Sequence, residues 1–203
     1  MSMHCSSIEY IYDLYHRFRA LLYTMMMSKC FFNIGQNTRI DPPMQYSGLH
    51  RVTLGSNIYI GKYCWLSTVP GNLEKETLLH IHDNTMVSKG VIIAAAVDVT
   101  IEDNVAIGPN SFITDHIHEY EDITRSIYSQ GIKKVEPVLI GRNTWLGYNV
   151  TILPGTKIGR NCVIGANAVV NADLPDYTVA VGMPAKVVKK YDPDTKAWIN
   201  VSR

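Results

Sequence analysis

From residue 140 to 175 the chain keeps an unbroken six-residue beat, IGRNTW LGYNVT ILPGTK IGRNCV IGANAV VNADLP, in which every block opens on an aliphatic side chain. The beat also runs upstream in groups of three: Leu54, Ile60, Leu66; Ile81, Val87, Ile93; Ile101, Ile107, Ile113; with Ile34 and Ile40 as a weaker start. A helix needs apolar positions every three or four residues, and a half-buried strand every two. A period of six fits neither. It does fit a triangular coil in which each block forms one side and three blocks make one turn of a parallel β-solenoid. Successive turns would stack about 4.8 Å apart, with the aliphatic residues in continuous inward ladders.

Two further slots are filtered. The position two residues before the aliphatic one is mostly small or β-branched (Thr85, Val91, Val105, Ser111, Thr144, Val150, Thr156, Cys162, Ala168), which predicts a second inward site with little room. Cys64 and Cys162 fall in this slot and read as core thiols rather than ligands or nucleophiles. Glycine often follows the aliphatic residue (Gly35, Gly55, Gly61, Gly141, Gly147, Gly159, Gly165). Asparagine often stands third after it (Asn37, Asn57, Asn84, Asn104, Asn110, Asn143, Asn149, Asn161, Asn167). Both residue types tolerate positive φ, so they mark the corners.

With 203 residues the chain fits one domain. Its formal charge of +1 builds in no general attraction to nucleic acid or anionic lipid. The four cysteines form no CxxC pair and no signal peptide precedes them, so a reducing cytoplasm is the expected compartment. Residues 1–33 are expected to form an N-terminal helical cap, with an amphipathic helix over 7–28 carried by Ile8, Ile11, Leu14 or Tyr15, Phe18, Leu22 and Met25, and Ser6 or Ser7 available as N-cap. It is expected to pack on the first coil, with membrane contact at most peripheral. The solenoid is assigned to 34–175, with a short insertion at 72–80 and a protruding loop at 119–139, and 176–203 to a C-terminal extension.

The long loop begins just after FITDHIHEYED, residues 112–122, and irregular loops longer than about 12–15 residues are usually functional or disordered. His116 takes the corner slot that asparagine fills elsewhere and His118 follows two residues on, so both are expected to face away from the packed interior. Imidazole, with an ordinary pKa near 6.5, suits proton transfer at neutral pH. Metal binding by His80, His82, His116 and His118 is the competing reading. The two HxH pairs stand at different offsets from their aliphatic openers and should fall on different parts of the triangle, so no metal is expected. His4, His16 and His50 follow no pattern.

The run PVLIGRNTWLGYNVTILPGTKIGRNCVIGANAVVNADLPDYTVAVGMPAKVVKKYD (137–192), with DHIHEYED before it, resembles the hexapeptide-repeat O-acyltransferases, particularly those that acetylate sugars and bacterial surface polysaccharides. The likeness extends over residues 34–192. It implies an all-β fold, a left-handed parallel β-helix, working as a homotrimer with acetyl-CoA as cosubstrate, a carbohydrate acceptor and a site between subunits. Periodicity alone shows neither handedness nor trimer. The resemblance puts the catalytic base on His116, with His118 as fallback, and the long loop over a neighbouring chain. Asp115 and Glu119 flank the base and are candidates to orient it or meet substrate. Trp145, Gly147, Gly165 and Ala166 are expected along the pantetheine arm, and Lys186, Lys189 or Lys190 at the nucleotide phosphates. Related sugar enzymes often carry an asparagine near the base from the preceding coil; the matching position here is Ser88, a departure that bears on acceptor binding. An antibiotic O-acetyltransferase shares all these features. A γ-type carbonic anhydrase with zinc and a non-catalytic solenoid are readings from other classes.

Overall fold

Short strands with a fixed period can be stable only if each finds its backbone partners on the turns above and below, and the chain is organised by that requirement. The computed structural model of the protein describes residues 7–69 and 75–201. Residues 72–74 of the expected insertion, the Ser6 cap, His4 and Cys5 lie outside the described residues.

Three parallel sheets form the sides of the coil. On the first face Leu54, Ile81, Ile101, Ile140 and Ile158 stand in register from strand to strand. Ile60, Val87, Ile107, Leu146 and Ile164 do so on the second. Leu66, Ile93, Ile113, Ile152 and Val170 do so on the third. All fifteen are essentially without solvent exposure, so the core is three aliphatic columns inside a triangular tube, the left-handed parallel β-helix that the family resemblance implies.

The corners come out as expected for asparagine but not for glycine: none of Gly35, Gly55, Gly61, Gly141, Gly147, Gly159 and Gly165 adopts positive φ, and it is the close approach of the adjoining coil that a Cβ there would meet. All nine repeat asparagines adopt φ between 53 and 60°. That conformation costs most L-residues roughly 1–2 kcal/mol, and asparagine tolerates it because its short amide can bond locally. Here the amides also bond along the axis: Asn57 Nδ2 donates to Asn84 Oδ1 at 3.1 Å and Asn149 Nδ2 to Asn167 Oδ1 at 2.9 Å. The nine small-slot residues named above are all buried, and the hydroxyls of Thr85, Ser111 and Thr144 return to the backbone, as in Ser111 Oγ to Gly108 O at 2.9 Å, whereas that of Thr156 has no partner among the described residues. Burial pushes the Cys64 thiol up to about 11, in keeping with an inert core side chain.

The ends differ from expectation in two respects. The helix spans Ser7–Met27, but among its described side chains only Ala20, Thr24 and Met27 are buried, with His16, Arg19 and Tyr23 half-buried. Thr24 anchors it, accepting from the Ile40 amide at 2.8 Å and donating to Ala20 O at 2.7 Å. The whole expected face, Ile8, Ile11, Leu14, Tyr15, Phe18, Leu22 and Met25, remains exposed, so the cap covers the first coil with a different stripe of side chains in its last two turns. No described helix is long and apolar enough to cross a membrane. At the other end the coil continues past residue 175: Thr178–Val181 joins the second face in parallel, and Lys186–Asp192 and Ala197–Asn200 extend it antiparallel.

The close stacking sets a limit that can be tested. A Cβ built on Gly108 would lie 2.3 Å from Gly147 O and 2.5 Å from Gly147 C, both backbone atoms of the next coil. Gly108→Ala is expected to destabilise the protein by about 1–3 kcal/mol in urea or thermal unfolding; an unchanged midpoint would show that the coils have slack.

Candidate active site

On the third face the outward positions sort by size. Trp65, Ile92 and Phe112 stand in one register row, and Ser67, Ala94 and Thr114 in the row two residues further along. Large side chains therefore form a wall beside a floor of small ones. The opposite wall is supplied by the break in the repeat, where Ile117–His118 pairs antiparallel with Ile132–Lys133 before the coil resumes at Val138. The space between is a cavity of about 450 Å³, within the range of small-molecule sites. His116, His118 and Ile132 line its hairpin side.

The break is held by Asp115. Its side chain is fully buried, and its carboxylate accepts the backbone N–H groups of Ala96 (2.8 Å), Val97 (2.7 Å) and Asp98 (2.8 Å), which form the corner of the coil below. It also meets His116 Nδ1 at 2.8 Å. Burial acts to raise the Asp115 pKa, but the bonds from His116 and the three amides outweigh it and leave the group below its ordinary 3.8. An ionised carboxylate only accepts hydrogen bonds, so the neutral imidazole carries its proton on Nδ1 and leaves the Nε2 lone pair available. With 10% of its side chain exposed, His116 is less open than the sequence suggested, yet it borders the cavity. The arrangement can accept a proton from a group bound there.

The other expected site residues are placed as follows. His118 is exposed and borders the same cavity. Asp115 is enclosed and so cannot touch a substrate; it holds the histidine instead. Glu119 turns into the loop, where the Glu121 amide and then Lys133 lower its pKa, and it does not line the cavity. Lys133 bridges Glu119 at 3.0 Å and Glu121 at 2.7 Å and lies 3.7 Å from the centre of the Tyr120 ring, fixing the strand that presents Ile132. Ser88 sits at a corner of the second face, its carbonyl accepting from Cys64 Sγ at 3.1 Å, and does not border the cavity. The residues that the preceding coils bring there are Ala94 and Ser67. Counting back from Thr114 through the strand register would have found them.

Trp145 stands 55% exposed on the second face between Ala106 and Val163. Gly147 and Gly165 follow at the corners, but a Cβ built on Gly147 would lie 2.8 Å from Ala166 N and one on Gly165 2.7 Å from Val181 Cγ1, both on the adjoining coil. Stacking therefore accounts for both glycines. Lys186 and Lys189 are exposed on the terminal hairpin. None of these residues, Ala166 included, borders the His116 cavity within one chain. His80 is on the first face, bonded to Thr53 Oγ1 at 2.9 Å, with its pKa lowered chiefly by burial. Among the described residues no three His, Cys, Asp or Glu side chains gather as a metal-binding group.

A family model described as bacterial transferase hexapeptide (six repeats) matches residues 137–172. The chain is 38% identical over 141 residues to a probable acetyltransferase of Mycobacterium tuberculosis, covering 70% of this chain and 47% of that protein. It is 41% identical over 127 residues to the putative lipopolysaccharide biosynthesis O-acetyl transferase WbbJ of Escherichia coli, covering 60% and 65%. To the galactoside O-acetyltransferase of Escherichia coli it is 30% identical over 173 residues, covering 85% and 70%. It thus spans about half the length of the first of these and just under two thirds of the second. Among solved structures, the hexapeptide-repeat acetyltransferase VCA0836 of Vibrio cholerae has a TM-score of 0.60 at 25% identity, over 85% of this chain and 81% of that one. AntD, an N-acyltransferase of Bacillus cereus, has a TM-score of 0.71 at 17% identity, over 85% and 91%, and shares the fold.

The buried carboxylate gives a pH signature. Because its folded pKa lies below the unfolded one, Asp115 contributes stability that is fully present above pH 3.8 and is lost as pH falls through the folded value. Asp115→Asn is expected to cost about 2–3 kcal/mol at neutral pH, with the gap from wild type narrowing as unfolding is measured toward about pH 3. A gap that stays constant with pH would remove the carboxylate from this role.

Proposed function

Because the chain belongs to the hexapeptide-repeat acyltransferase family, we propose that it is an acetyl-CoA-dependent O-acetyltransferase acting on a sugar hydroxyl, in the building of a surface polysaccharide. The observation that carries this reading is His116: its Nδ1 is held by a buried carboxylate and its ring borders a cavity sized for a small acceptor.

A sugar hydroxyl is a weak nucleophile until a base takes its proton as it attacks the thioester carbonyl. In the proposed step His116 Nε2 receives the hydroxyl proton while the new C–O bond forms and the C–S bond breaks. The proton then passes to the departing thiolate. The charge that develops on the imidazole is stabilised by Asp115, already ionised and too tightly held to move, so little reorganisation accompanies transfer. The hairpin walls the site and limits competing attack by water.

Exposed Trp145 and the basic strand with Lys186, Lys189 and Lys190 fit a long, phosphate-bearing thioester. These residues do not meet His116 within one chain. That separation supports a homotrimer in which the histidine of one subunit works against the donor face of the next.

His116→Ala is expected to lower thiol release from acetyl-CoA in the presence of sugar acceptors by roughly 10²–10⁴-fold, with CoA binding by calorimetry and the unfolding midpoint retained. Near-normal turnover in that variant would reject the assignment. Sedimentation should show three chains per particle, and a monodisperse active monomer would reject the shared site.

A further inference from the structure

The N-terminal helix has a second apolar face, and the solenoid leaves it uncovered. Counted in heptads from Ile8, the a positions are Ile8, Tyr15 and Leu22 and the d positions Ile11, Phe18 and Met25, so the two alternate without a break along the helix. Leu14 and Leu21 fall at g and widen the seam, and no charged residue stands at a, d or g. The side chains that dock on the coil, Ala20, Thr24 and Met27, occupy c and f positions on the opposite side of the helix. The eight seam residues are each between 47 and 80% exposed. Together they present on the order of 1,000 Å², more than the largest apolar patch of an ordinary monomer and about what one partner brings to a standard protein interface.

We propose that this seam closes against the same helix of neighbouring copies of the chain, a helical bundle at the N-terminal end that is separate from any contact setting a donor face beside His116. It stands independently of the acetyl-transfer reading. Three observations select this occupant. From Ile8 to Phe18 no described side chain is buried, and a helix segment of that length without a packed face is marginal in water, so its order calls for a partner. A lipid surface would favour a polar side rich in Lys and Arg. Here Glu9 and Asp13 balance Arg17 and Arg19, Arg17 pairs with Asp13 at 3.0 Å, and Arg19 Nη2 donates to Pro42 O at 2.9 Å. A repeat of 3.5 residues keeps one stripe turned toward another helix, and identical chains supply matching seams. Isoleucine at both a and d, as in the first heptad, favours three strands over two, and the apolar g positions give each helix a face broad enough to meet two others.

The test uses the full chain with Cys5→Ser and Cys30→Ser, which leaves only the buried thiols of Cys64 and Cys162. Into this background go Phe18→Cys, in the middle of the seam, or Asp13→Cys, on the far side of the helix, and each protein is treated with a short bismaleimide. Phe18→Cys should couple pairs of chains efficiently while Asp13→Cys does not; no coupling at residue 18, or equal coupling at both, overturns the proposal. A second variant, Ile11→Glu/Phe18→Glu/Leu22→Glu, changes only side chains exposed in the single chain and should leave its solenoid folded. By setting like charges against one another it should raise the protein concentration at which the particle half-dissociates in a urea series by at least about tenfold. An unchanged dissociation curve overturns the proposal. So does binding of the wild-type protein to phosphatidylcholine–phosphatidylglycerol vesicles that the glutamate variant loses, which would assign the seam to a lipid surface. None of these readouts depends on acetyl transfer, so failure here leaves that reading in place.

Discussion

The backbone of this protein is secured one coil at a time. Most of its strands contain only two to four residues, too few to be stable alone, and each is held because its amides and carbonyls meet those of the coils on either side at a fixed register. Everything else must respect that register. The left-handed asparagine corners exist because the chain has to turn sharply every six residues without losing it. Of the two inward slots, one is aliphatic throughout the three columns and the other is mostly small or β-branched, because the tube is filled by side chains from all three faces.

The same constraint builds the site. A histidine on a free loop would have no defined direction, whereas His116 is fixed by a carboxylate that replaces the usual corner contacts with three bonds to the backbone below. The hairpin that interrupts the repeat is tied down at its start by Asp115 and further along by Lys133 between two carboxylates. The exposed Lys133 pairs are worth little individually. Asp115 is different, because its bonds are made in a dry interior where nothing can substitute for them.

What the sequence made legible follows from how strongly each slot is restricted. Inward aliphatics, small residues and corner asparagines are filtered at every turn, so ladders and corners could be read directly, and His116 was visible because it stands where asparagine should. Outward positions carry no such filter. Trp65, Ala94 and Phe112 are brought together only by a strand register that crosses coils of unequal length, 27 residues from Trp65 to Ile92 and 20 from Ile92 to Phe112, and the resemblance to related sugar enzymes had pointed to Ser88 instead. Asp115 looked like a loop acid because its burial depends on amide groups 17 to 19 residues away. The helix was legible as a helix but not in its coverage, since hydrophobic spacing cannot say how much of an apolar face will find a surface.

A stack of this kind is thermodynamically close to one-dimensional: each turn touches only its neighbours, so fraying starts at the two extremities and works inward. The rung bearing Phe112–Thr114 is the fourth of six on its sheet, and intact turns stand on both sides of it. The imidazole that follows it is attached to the stretch of chain that opens last. Amide exchange there should track global unfolding, while the first and final turns breathe freely and leave the chemistry undisturbed.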